Sequence, residues 1–554
     1  MNLYAREAWR RLSRRAALTR LRLTRHTVRV PERLIVAPTD LRSIDAFVAE
    51  EMIDGRIPLA GRVLETNGRS PFSQELPSEI FAARLHCFSW LRHMRADKSG
   101  QGNMLARALV NEWIGLHGRK TEGIAWDPDI AAQRLISWLS HSPVVLQGTD
   151  SSFYRRFMRS LTHHVRYLRH VAATAPDGEV RFRVRIALAM SSVAMPARAA
   201  TIKRAGQALD REIERQILAD GSHISRNPRA ALELLLDLLP LRQTYINLGH
   251  DAPARLIAGI DRMYPALRFF RHQDGDLALF NGATSTFANE LMSVLRYDET
   301  SGQTFKALPH AHYQRLSAGQ TLVIMDTGGP LSVDLSRTAH AGCLSFEMSS
   351  GRHRIIINAG SPKFAGARYV QMARATAAHS TVTLDDTSSL TFSRSKVLGP
   401  VMTGGVSEVS VERLDTGDGR DSVKAAHDGY LAAFGLMHER EVALNHAGTI
   451  ITGHDRFFAP DTKKASRKKA GAAHHASARF HIHPSITIGQ MQPDQVTLTA
   501  PDGESWTFSS PGNEVLIGED VFFADSSGVR ASELLEIAFS LAEKTEIRWF
   551  LSRR

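Results

Sequence analysis

What most limits the fold of this chain is a change in hydrophobic period partway along it. From about Asp40 to Arg296 apolar residues recur every three or four positions, as in FMRSLTHHVRYLRHV, RAGQALDREIERQILAD and RAALELLLDLLPL. That spacing gathers them on one face of a helix. Turn clusters at TAPDGE, ADGS, SRNP, LGHDAP and RHQDGD divide this half into many helices of moderate length. After about Ala318 the runs become short and rich in strand formers: QTLVIMDTGG, CLSFEMSSG, HRIIINAG, HSTVTLDD, SEVSVERL, TIITGHDRFF, RFHIHPSITIG, QVTLTAP, SWTFSS and EIRWFLS. Closely spaced strands with no helices between them predict antiparallel sheets packed as a sandwich. The segment Ala459–Ala478, rich in Lys, Ala and Gly, reads as an exposed basic loop between strands.

Charge and composition narrow the function classes. The 554 residues carry 69 basic and 57 acidic side chains, a formal net charge of +12, with 43% hydrophobic and 23% charged residues. Disordered, collagen-like and membrane-spanning chains do not have this balance. Cys87 and Cys343 are the two cysteines, so there is no disulfide framework and any metal has to be held by His and carboxylate. The chain has no phosphate-binding G-x-x-x-x-G-K-[ST] loop, no G-x-S-x-G nucleophile elbow and no H-E-x-x-H helix. The KKASRKK run lacks interleaved aromatics, so nucleic acid is not an expected partner.

The first 33 residues hold ten arginines and no continuous apolar stretch of signal-peptide length, so cytoplasmic localisation is expected. Leu3, Trp9, Leu12 and Ala16 can share a helical face among these arginines. Such a face permits docking on an anionic membrane surface or a partner, and the other reading is a solvated basic arm over residues 1–39.

The string HAGCLSFEMSSGRHRIIINAGSP followed by ATAAHSTVTLDD resembles the heparinase II/III family of polysaccharide lyases, with support from AHDGY, RFHIHP and ILADGSHISRNP. The resemblance covers most of the chain and implies an α+β fold: an incomplete (α/α) toroid over residues 40–310, then an antiparallel β-sandwich over 311–554, with a cleft between them. It also implies β-elimination on a uronate-containing anionic polysaccharide, and a cell-envelope or periplasmic setting as the alternative location. That chemistry needs a group to neutralise the C5 carboxylate, a base for the C5 proton and an acid for the leaving oxygen.

At the positions where such lyases carry an Asn-His pair, a Tyr-His pair and the first His of a His-x-His-Ala-Asp turn, this chain has Asp177 and Gly178, Ala230 and Ala231, and Thr338. An ionised aspartate cannot neutralise a carboxylate, and alanine carries no proton to transfer. A rearranged catalytic set of His223, Arg226, Asn227 and Tyr245 is therefore one expectation, with substrate held by Trp126, Arg134, Asp177, Arg181 and Arg183. The alternative is a carbohydrate-binding protein of envelope polysaccharide assembly that has lost turnover. His223 also reads as a helix-entry residue bonded to backbone, and Trp138 as packing. His340, Asn358 and His379 resemble a structural zinc site of some relatives, with His427 or His481 as possible helpers. An amide in place of a carboxylate weakens that site, and a hydrogen-bonded cluster is the other reading.

Overall fold

A computed structural model describes residues 3–23, 30–415, 419–460 and 474–554. These fall into two units: residues 1–217, 232–262 and 289–299, which are helical, and residues 218–231, 263–288 and 300–554, which are mainly β. The second unit thus takes in two segments that the period pattern assigns to the helical half. The reason is local. Asp220 accepts the backbone N–H groups of His310 and Ala311, and Phe270 and Phe280 pack on Tyr313.

In the helical unit, Pro128–Ser140 packs against Glu79–Cys87, Ser151–Val171 and Glu179–Ala194, and the last of these packs on Ala199–Gln216. Several helix starts follow directly from the sequence. Asp127 accepts the N–H of Asp129 ahead of Pro128, and Asp150 accepts that of Phe153. A hairpin, Arg56–Leu59 with Arg62–Glu65, interrupts the helices. The basic start is a helix, Leu3–Leu23, packed on Ser151–Val171 with Leu21 buried, so that stretch belongs to the helical unit and is not a solvated arm. No helix among the described residues is long and apolar enough to cross a membrane.

The β unit contains two large antiparallel sheets among the described residues. One runs, edge to edge, through Val409–Asp415, Arg420–His427, Met437–Asn445, Ile450–Phe458, Glu546–Arg553, Ser505–Ser509, Gln495–Thr499 and Thr487–Gln492. The other runs through Leu516–Phe522, Arg530–Ser540, His475–Ile482, His353–Ile357, Phe346–Ser350, Thr321–Asp326, Tyr313–Ala318 and Ala307–Leu308, with Val382–Leu384 also paired to His475–Ile482. Their inner faces share one core. Phe346 stacks on Trp549 at 5.3 Å between ring centroids, and Phe480 meets Phe508 at 4.8 Å. Burying such aromatic faces is worth roughly 1.5–3 kcal/mol per side chain. Of the expected basic loop, residues 461–473 lie outside the described residues, while its end, from His475, is already strand.

Candidate functional site

The loop that precedes helix Pro228–Asn247 carries three of the expected residues, and its geometry follows from short polar side chains. Ser225 donates its N–H to His223 Nδ1 at 3.2 Å and places its hydroxyl 2.7 Å from the same atom. Asn227 accepts the N–H of Arg229 at 2.9 Å and caps the helix. Between them Arg226 adopts φ +60°, a left-handed conformation that a residue with a side chain holds only when its surroundings insist. They do so here. Its guanidinium pairs with Asp326, donates to the Ala311 carbonyl at 2.8 Å and lies 4.9 Å from the Tyr313 ring centroid.

Burial alone would pull the Arg226 pKa down, but the Asp326 carboxylate holds it above its ordinary value. Asn281 locks the arrangement, donating to Asp326 Oδ2 at 3.0 Å and to the Tyr313 hydroxyl at 2.8 Å. A Cβ at Gly328 would run into the Arg226 guanidinium, so any side chain there would have to displace it. Arg226 therefore does not present a free anion fork. Its charge is spent on Asp326.

These residues border a narrow recess within the β unit, about 20 Å³ in volume and lined also by His340, Cys343, Leu331, Leu390 and Met402. His379 donates from Nδ1 to the Ala375 carbonyl at 2.8 Å, which leaves its Nε2 to accept from His340 Nδ1 at 3.2 Å. That fixes the tautomer of His340: Nε2 is unprotonated and lies on the side of Gly282 and Asn227. Burial, reinforced by His379 and Arg374, keeps His340 well below the usual histidine range, and burial sets His379 at about 4. His340 is thus a neutral imidazole at physiological pH, and the burial that keeps it neutral also makes it a weak proton acceptor.

The expected zinc trio does not fit a metal. The Asn358 oxygen accepts the N–H of Ser380 at 3.0 Å and its amide donates to Glu347, while the facing histidine nitrogens are used on each other. Among the described residues no group of three His, Cys, Asp or Glu side chains is arranged to hold a metal. His427 is bonded to the Gly429 N–H, and His481 to Asp520 at 2.6 Å. The polar layer is instead organised by Glu347, which takes the N–H groups of Leu279 and Asn358 and faces His272 at 3.1 Å.

The remaining expected residues belong to the helical unit, where they serve its interior. Trp126 and Trp138 are buried with Trp113, and Arg134 lies 4.0 Å from the Trp113 ring centroid while donating to His164 and to the His86 carbonyl. The expected stacking face and anion fork are therefore core packing. Arg183 pairs with Asp129, Arg181 donates to the Ala175 carbonyl, and Asp177 pairs with Arg215 at 2.7 Å. Tyr245 is buried, its pKa pushed up to about 12 by burial, so at neutral pH it is a phenol and not a phenolate base. Asp326, Asn281, Tyr313 and Glu347 escaped the sequence reading. One signal was present: Asp326 ends the run TLVIMD, every residue of which is buried, and a carboxylate there requires a partner.

Residues 300–550 match the family model described as Heparinase II/III-like, C-terminal. That stretch is a heparinase II/III-like domain. The chain is also similar to FtsZ-localized protein C of Caulobacter vibrioides (strain NA1000 / CB15N), 28% identical over 532 residues, which cover 94% of this chain and 91% of that protein. Among solved structures, heparinase III overlays with a TM-score of 0.70 at 13% identity, covering 97% of this chain and 89% of that one. A heparan sulfate lyase HepC mutant from Pedobacter heparinus overlays with a TM-score of 0.60 at 16% identity, covering 99% and 88%. At these identities the shared property is the fold, an incomplete (α/α) toroid followed by an antiparallel β-sandwich.

Proposed function

We propose that this protein is a catalytically altered heparinase-like protein that binds an anionic envelope glycan from the cytoplasmic side and does not cleave it. The observation that carries this reading is the closure of Arg226 onto Asp326 and Tyr313 beside the buried Ala230 and Ala231. A uronate lyase needs a group that neutralises the substrate carboxylate and an acid for the leaving oxygen. Here the nearest cation already has a carboxylate partner, and the alanines offer no proton. His340 lacks those companions and, held neutral by burial, is too weak a base to carry an elimination alone. Similarity over almost the whole chain to a protein named for its localisation with FtsZ supports a role in envelope assembly at the division site.

The test uses the full chain with heparan sulfate, hyaluronan, alginate and the host's own acidic polysaccharide. Absorbance of the unsaturated uronate should stay flat while calorimetry or a retention assay detects binding. Turnover that disappears in His340→Ala would instead establish the lyase reading. A complete lack of glycan binding would remove both.

A further inference from the structure

The basic start of the chain is not used by that reading, and its structure has a distinct logic. Helix Leu3–Leu23 turns Leu21 and Glu7 inward, both buried, as it packs on Ser151–Val171. Glu7 is the helix's one acid, and it is bonded to Arg10 and Arg11. The outward strip at helical spacing is Ala5, Ala8, Trp9, Leu12 and Ala16, all exposed. Trp9 is 70% exposed and Leu12 57% exposed. Arg11 and Arg15 border this strip along one edge, and Arg6 and Arg20 along the other, again exposed.

We propose that this outward face is a preformed, in-plane docking surface for an anionic lipid bilayer. A shallow apolar strip carrying one tryptophan suits the headgroup boundary, where an indole ring is half wet and half dry. Small alanines on the rest of the strip offer a flat contact, with no pocket to receive a partner's anchoring side chain. Arginines on both edges, with the single acid turned inward, complement a negative surface while their stems lie along the apolar strip. Because the opposite face is already packed, the helix needs no folding on contact. Its ordering cost is met in the free protein.

The full chain reports on this directly. Of seven tryptophans, Trp90, Trp113, Trp126, Trp138, Trp506 and Trp549 are buried, so a change in fluorescence on adding vesicles reads Trp9. With vesicles of phosphatidylcholine containing one third phosphatidylglycerol, the emission should shift to the blue and the protein should co-sediment. Phosphatidylcholine alone should produce neither effect. Trp9→Ser with Leu12→Ser should weaken binding about tenfold or more, by loss of apolar burial. Arg11→Gln with Arg15→Gln should weaken it roughly fivefold per arginine, and added salt should act in the same direction. Equal binding to both vesicle types, no binding, or variants that bind like the parent would overturn the proposal. So would a change of oligomeric state in the Trp9 variant without loss of vesicle binding, which would assign the face to a second copy. Unchanged unfolding midpoints confirm that the variants are folded.

Discussion

Each unit buries an arginine completely, and the two are neutralised in different ways. Arg440 of the β unit makes a paired contact with Asp455, at 2.7 and 3.0 Å, and donates to the carbonyls of Leu344 and Ser380. Among the described residues, Arg134 of the helical unit has no carboxylate within bonding distance. It lies against Trp113 and Trp126, donates to the neutral His164 at 2.8 Å, and its Nη2 has no hydrogen-bond acceptor among the described residues. Burial accordingly pushes the Arg134 pKa down to about 9. The sheet delivers a counterion by register, since Arg440 and Asp455 are directly opposed on adjacent antiparallel strands. Helices have no such pairing rule, and this one collects aromatic faces and a histidine from its neighbours instead.

The largest effect should come from breaking the paired arginine. Asp455→Ala leaves Arg440 charged and alone in the core, and urea unfolding should show a loss of about 3–5 kcal/mol. The double replacement Arg440→Met with Asp455→Leu should recover much of it. A loss below that of any surface pair would mean that the ion pair is dispensable.

Acid should come next. His379 has a folded pKa of about 4 against an ordinary value near 6.5, and His93 of the helical unit is likewise held at about 4 by burial. The unfolded chain therefore takes up these protons first as pH falls. Stability should be complete above about pH 6.5 and decline toward pH 4, by roughly 1.4 kcal/mol per pH unit for each such histidine. His379→Gln should make that slope shallower by one proton. An unchanged slope would mean that His379 protonates freely in the folded state.

Arg134→Met should cost less than the break at Asp455, about 1–2 kcal/mol, because no carboxylate is left behind. A cost as large as that of Asp455→Ala would show that the aromatic cage holds the cation as tightly as a counterion does. Smallest of all should be Asp177→Asn, which loosens the partly exposed pair with Arg215 and should move stability by no more than about 1 kcal/mol. A greater loss would require Asp177 to hold more than Arg215 and the Gly178 N–H.

The fold was more legible than the site. The strands found from sequence, such as His353–Ile357 and Ser505–Ser509, have apolar inner faces that announce themselves. Met437–Asn445 did not, because two of its inward residues are His438 and Arg440, so the alternation of apolar and polar residues is broken where the core is polar. The site failed in the same way. His223, Arg226 and Asn227 were noticed for their chemistry, but their partners Ser225, Asp326 and Arg229 decide what they do. Asp326 lies a hundred residues along the chain from Arg226.

By itself, the sequence determined the change from helices to sheets, the caps that start individual helices and the resemblance to heparinase II/III lyases. Those properties depend on period, on near neighbours or on the identity of one residue. Tertiary structure decided that Arg226 is spent on Asp326, that Trp126 and Arg134 are core, that His340 keeps a free lone pair, and that Trp9 faces outward. Each of these turns on which distant group reaches a buried polar atom, or on which face of a helix its neighbours cover. The cost of leaving such an atom unpaired is paid in three dimensions, and no spacing along the chain records it.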